Sequence, residues 1–320
     1  MKNYIDQLKE TWTKSGLNAD QMMESMIAQW KAMGVNPDMM LKQLAQATVT
    51  PQPSAPTFDA DLIADLQDIA NTPVDLSPVE LQDPFSAWED DGLRFSKKNG
   101  APVKLLKAIS CGALLTVINK STLNTLATGL SKDEAEALLS RDWEINSRGD
   151  LVDTIDWLSS SGHRRTCEPV WQQLAKHPQS RWENRAEKIL EALDFEADDL
   201  PAAEEHIDNI VETFPLVIKH IPVDSKASVS LFAWDACRAI NLYRWGVDVG
   251  LVTEAGATQN ILKIAELLYE EYDSWVELST AYIIGTAMWS GNTEMVNDAL
   301  HAHYLLTTNP QSPWQLIDWK

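Results

Sequence analysis

Along most of this chain apolar residues recur three and four positions apart, the spacing that lines one face of an α-helix. In "ADQMMESMIAQWKAMG" the spacing joins Met22, Met26, Ile27, Trp30 and Met33, and Gly34 supplies a stop. "VNPDMMLKQLAQA" restarts the pattern, with Asn36 as cap and Pro37 at the first helical position. Capping-box spacing then repeats in Ser77/Glu80, Ser131/Glu134, Ser147/Asp150, Ser180/Glu183 and Ser274/Glu277. Gly129, Gly162, Gly246 and Gly291 fall where helices should end. Strand signals are thin, and the best of them, "FPLVIKHIPV", is broken by Pro215 and Pro222. The pattern predicts an all-α protein, an irregular multi-helix bundle without internal repeats.

Within that frame "TVTPQPSAPTF", with three Pro in eleven uncharged residues, reads as an extended linker. It separates a small Met-rich helical unit, residues 1–47, from an acidic, helical lead-in at 59–130 and a helical domain at 131–320. Seven of the nine Met lie in the first unit. Met-rich amphipathic helices make adaptable contact surfaces. Met22, Met26, Trp30, Met33, Met39 and Met40 are therefore candidate partner-binding residues, or else pack on their own chain.

Composition narrows the function classes. The 320 residues are 44% hydrophobic, enough for a sizeable core, and thirteen Trp predict seams built on large flat side chains. A net charge of −21 argues against binding nucleic acid or anionic lipid. It suits either a solvated surface or a basic protein partner. The charge is concentrated. Asp59 to Gly92 holds ten acidic residues and no Lys or Arg, and Glu183 to Glu212 holds eleven against Arg185 and Lys188. Cys111, Cys167 and Cys237 are odd in number and widely spaced, as expected of reduced cytoplasmic thiols. The N-terminus has no apolar signal core and no run reaches the length of a membrane span, so a cytoplasmic protein is expected. Export by a machine that needs no cleaved signal stays open.

Reaction signatures are missing: the sequence has no glycine-rich phosphate loop, no HExxH, no GxSxG and no CxxC. His301 and His303, two apart, do not share a helical face. Neither metal nor cofactor is expected. The exceptional stretch is "FAWDACRAINLYRWG", where Asp235, Arg238, Asn241 and Arg244 recur every third residue among large apolar ones. A three-residue step drifts about 60° on a helix, so the four spiral around it and Asp235 ends opposite Arg244. They can be internal ion pairs, a ligand-bearing or catalytic cleft, or a solvated stripe, and Asp235 with Arg238 is an allowed pair. A neighbouring helix from Trp275 to Trp289 carries Trp275, Leu278, Tyr282, Gly285 and Trp289 on one side, with Gly285 permitting a close approach. His163, directly after Gly162, is placed to cap carbonyls or meet an acid. As a reactive set, Asp235 would be a base or ligand orienter and Arg238 an anion clamp, with Tyr282 and His163 beside them.

Three stretches together carry a resemblance: "RDWEINSRGDLVDTIDWLSSSGHR", "AWDACRAINLYRWGVDVGLVTE…YDSWVELSTAYIIGTAMWSG" and "NPQSPWQLIDW". They resemble a bacterial family of unknown function typified by YbeU and YbeR, the domain of unknown function 1266, over roughly Leu138 to Trp319. Trp143, Trp234, Asp235, Arg238, Arg244, Trp275, Gly285, Trp289 and Trp314 form the signature. A departure lies in "TEAGATQN", where Thr258 stands near an expected Trp. The resemblance implies one folded helical module and no established reaction. Its association with contact-dependent toxin loci and chaperones implies a protein-interaction module, an immunity or adaptor protein in a toxin or secretion system. The alternative is an enzyme or toxic effector with a cleft around Asp235, Arg238 and Tyr282.

Overall fold

A computed structural model describes residues 92–97, 100–221 and 229–319, together with Lys9 and Met23. The chain divides into two compact units, Met1–Glu80 and Leu81–Lys320. The candidate contact residues Met22, Met26, Trp30, Met33, Met39 and Met40, the Ser77 cap and the linker at 48–58 lie outside the described residues.

The second unit is all-α. Its helices are α1 (Val103–Ser110), α2 (Ala113–Ile118), α3 (Lys132–Trp143), α4 (Arg148–Ser160), α5 (Arg164–Leu174) and, after a 3-10 turn, α6 (Trp182–Leu193). They continue with α7 (Leu200–His220), α8 (Phe232–Asp248), α9 (Glu254–Glu271), α10 (Trp275–Ser290), α11 (Thr293–Thr308) and the short α12 (Pro313–Leu316). No strand occurs among the described residues; one isolated bridge joins Arg94 to Thr122. None of these helices is long and apolar enough to cross a membrane.

The capping signals mostly act as written. Ser131 and Ser147 each close a reciprocal box with Glu134 and Asp150. The Ser274 hydroxyl accepts the Glu277 N–H at 3.0 Å, while the Glu277 carboxylate turns back to the Asp273 N–H. Ser180 does not cap. It lies inside the 3-10 turn Gln179–Arg181, and the start of α6 is held instead by the Trp182 indole, which donates to Leu174 and His177 carbonyls at 2.8 and 3.0 Å. Gly162 and Gly291 end their segments in the left-handed region, as expected. Gly246 is no stop: α8 runs on to Asp248, and the left-handed turn falls at Gly250. Gly246 is there for packing, because a Cβ would lie 2.6 Å from Leu151 Cδ2 on α4.

Helix α8 is the axis of the unit, flanked by α2, α3, α4, α5, α9 and α10. Because it is surrounded, most of its residues from Ala233 to Gly246 are buried, the charged ones included. Its closest neighbour is α10, where an added Cβ on Gly285 would lie 2.6 Å from Trp234 Cβ. Helix α10 is not the one-sided stripe that its sequence suggests. Ser279, Ala281, Ile283 and Met288 are buried along with Tyr282, whereas Trp289 is 38% exposed. A helix buried all round is a core helix.

The C-terminus folds back over the bundle on tryptophans. Trp314 stacks on Trp275 with planes 11° apart, and Trp319 meets Trp275 edge-on. Their indoles donate to carbonyls of Ser110, Ile317 and Tyr272.

Candidate functional site

Asp235 lies in the first turn of α8 with no exposed surface, and its partners belong to the start of another helix. Its Oδ1 accepts the His163 N–H at 3.2 Å and its Oδ2 the Arg164 N–H at 3.3 Å. The carboxylate thus satisfies donors that every helix start leaves open, and it sits at the positive end of the α5 dipole. Two guanidiniums complete its shell: Arg164 Nη1 donates to Oδ2 at 2.9 Å and Arg238 Nη2 to Oδ1 at 2.5 Å. Arg164 also donates to the carbonyls of Leu158 and Ser159, which closes the end of α4. One carboxylate and one arginine therefore knot α4, α5 and α8 together.

The residues around the knot make room for it. Gly162 has φ +56°, and a Cβ there would lie 2.2 Å from Asp235 Oδ2, so both backbone and space demand glycine. Arg238 donates from Nε to the Trp234 carbonyl at 2.9 Å and lies over the Trp234 ring, 4.1 Å from its centre, with Trp143 at 5.8 Å. The Tyr282 ring meets Trp234 edge-on at 5.0 Å. His163 engages Asp235 through its backbone alone. Its ring caps no carbonyl and packs against Trp157 and Trp289, with centroids 4.8 and 5.7 Å away.

Further along α8 each polar residue meets a different neighbour, as the spiral predicts. Asn241 donates to the Gly112 carbonyl at 2.9 Å, and its Oδ1 accepts the Thr116 hydroxyl at 3.0 Å. Arg244 donates to Thr116 Oγ1 and to the carbonyls of Thr122, Thr125 and Leu126, gathering the loop after α2. Asp248 finishes the loop by accepting the Thr128 N–H at 3.1 Å.

Burial sets the titration of this region. It lowers Arg238, although neighbouring Asp235 opposes the shift, and it brings Arg244 down to about 10. Burial, with Arg238 and His206 nearby, pushes His163 down to about 3. It also raises the Tyr282 phenol, and it lifts the Cys167 thiol to about 12. At neutral pH the imidazole and the phenol beside these ion pairs are neutral. No group of three metal-type ligands stands together among the described residues.

The residues that build this knot lie between Trp143 and Trp289, and a family model described as protein of unknown function (DUF1266) matches residues 138–319. The chain belongs to that family. No curated protein and no solved structure matches it. The DUF1266 signature has a structural meaning here. "GHR" and "AWDACR" are the two halves of one buried junction, and Gly285 and Trp234 are the contact that presses α10 onto α8. Thr258, at the departure from the family pattern, lies in the first turns of α9, which Thr253 caps normally.

The four candidate residues are therefore neighbours, but three of them are sealed: Asp235, Arg238 and Tyr282 are 0, 4 and 1% exposed. Arg164, which sequence reasoning gave no role, is as central as Arg238. Its only signal is its place directly after Gly162 and His163.

The clefts lie elsewhere. A small one of about 260 Å³ is bounded by Arg94, Lys120, Asp298 and His301. A larger one of about 620 Å³ runs between α6 and α7 in the DUF1266 region. Ala186, Leu190, Phe195, Leu200 and Ile207 supply its apolar surface. Glu187, Glu191, Asp194, Glu204 and Asp208 supply its charge, and no Lys, Arg or His lines it. This groove is the structural form of the acidic run from Glu183 to Glu212.

Proposed function

We propose that this protein is a protein-interaction module that binds a basic protein partner, as an immunity or adaptor protein in a bacterial toxin or secretion system. The observation that carries the first part is the acidic groove of α6 and α7, where apolar side chains and five carboxylates share one surface without a cation among its lining residues. Electrostatic complementarity of this kind speeds and steers association. The toxin or secretion context rests on the family resemblance. The three cysteines, free and buried, support a cytoplasmic location. The enzyme reading has less behind it, because Asp235, Arg238 and Tyr282 are committed to protein neighbours and sealed from substrate. Affinity capture with the full chain from its native host, at low and high salt, tests the proposal. A basic protein retained at low salt and released at high salt is expected. Capture of no salt-sensitive partner would overturn it.

A further inference from the structure

We infer that the groove between α6 and α7 seats a single amphipathic helix of the partner, with an apolar stripe flanked on both sides by Lys or Arg. The inference rests on the basic-partner reading above and specifies the ligand. Helices α6 and α7 are joined by the short connection at 194–199, so they lie side by side and leave a furrow between them. Glu187 and Glu191 are four apart on α6, and Glu204 and Asp208 are four apart on α7, so each helix sets a carboxylate pair along its own edge. Between the pairs the floor is apolar. Ala186 and Leu190 come from α6, Leu200 and Ile207 from α7, and Phe195 from the connection. None of the five carboxylates forms an ion pair among the described residues.

That arrangement selects among ligands. A nucleic acid or an anionic metabolite is repelled by five carboxylates. A small cation finds no convergent ligand set here. A basic peptide without apolar residues would leave the floor wet. A helix with leucine-like anchors three and four apart, and a cation row on each side, fills the floor and answers both rims together.

The test uses the full-length protein and a labelled amphipathic peptide of about four helical turns, with a Leu stripe between Lys rows, read by fluorescence anisotropy. Three control peptides replace Leu with Ser, replace Lys with Glu, or place a Pro in the centre. The Lys/Leu peptide should bind best, more weakly as salt rises. Leu190→Ser, at a partly exposed floor position, and the rim reversals Glu191→Lys and Glu204→Lys should each weaken it at least about tenfold. Thermal melting is checked for each variant, and the rim reversals change exposed side chains only, so the test survives a misfolded Leu190→Ser. Equal binding of the Ser or Pro peptide, or wild-type binding by the groove variants, would overturn the helical seat and leave the basic-partner reading standing. Failure of the salt-sensitive capture would remove that reading itself.

Discussion

Asp235 has about four acceptor positions as a carboxylate, and four donors occupy it: two backbone N–H groups of the α5 start and the guanidiniums of Arg164 and Arg238. Each of its acceptor positions is turned to a protein donor. Its role is to close a helix from a distance, with a charge where the usual cap would be a local hydroxyl. Removing the charge should therefore strike stability. In Asp235→Asn the amide offers one oxygen to donors that had two, and it leaves two guanidiniums without a counter-charge. A loss of about 3–5 kcal/mol is expected, read as a drop in denaturation midpoint. Unchanged melting combined with a lost cellular phenotype would return Asp235 to the reactive reading. How this carboxylate would be used was only half legible: the i, i+3 pair with Arg238 is written in the helix period, whereas His163 and Arg164 lie about seventy positions away and no local pattern links them.

Helix α10 comes close to α8 at Gly285, where an added side chain would run into Trp234. Trp234 Cβ is fixed to its backbone, so it cannot move aside for a side chain on Gly285. Gly285→Ala gains about 1 kcal/mol of helix propensity and should still destabilise by about 1–3 kcal/mol through overpacking. Equilibrium denaturation measures the net effect, and a stabilised variant would contradict the close approach. The same geometry explains two misread signals. Gly246 looks like a helix end because glycine ordinarily ends helices, yet it serves α4, whose Leu151 occupies the place of its absent side chain. Ser180 has the spacing of a cap, but the Trp182 indole anchors that corner and the backbone takes a tighter turn.

Over the whole molecule, buried and partly buried histidines tie stability to pH. Burial depresses His163 to about 3 and His303 to about 4, and it lowers His206 as well. In the unfolded chain each takes up a proton near its ordinary value of about 6.5. Their contribution is flat above that value and destabilising below it, by up to about 1.4 kcal/mol per pH unit for each histidine until the folded value is reached. The net charge of −21 relaxes as carboxylates protonate and pulls the other way, so the informative quantity is a difference between proteins. His303 Nδ1 pairs with the Ser279 hydroxyl at 2.7 Å, a bond that an amide can imitate. Between pH 7 and 5 the melting temperature of His303→Asn should fall less than that of the wild type. Parallel curves would show that His303 is not coupled to folding.

The sequence by itself determined the helical class, three of the four helix starts marked by capping boxes in the described residues, and the family. Each is carried by residues a few positions apart or by the order of short stretches along the chain. It also determined that the polar residues of α8 spiral, since that follows from the helix period. Only the tertiary structure decided that the spiral is buried on every side, that Arg164 shares Asp235 with Arg238, and that Trp289 reaches solvent while Ser279 does not. Burial is a property of what packs against a helix from distant parts of the chain. For the same reason the acidic run Glu183 to Glu212 became a groove with an apolar floor only when α6 and α7 were laid side by side.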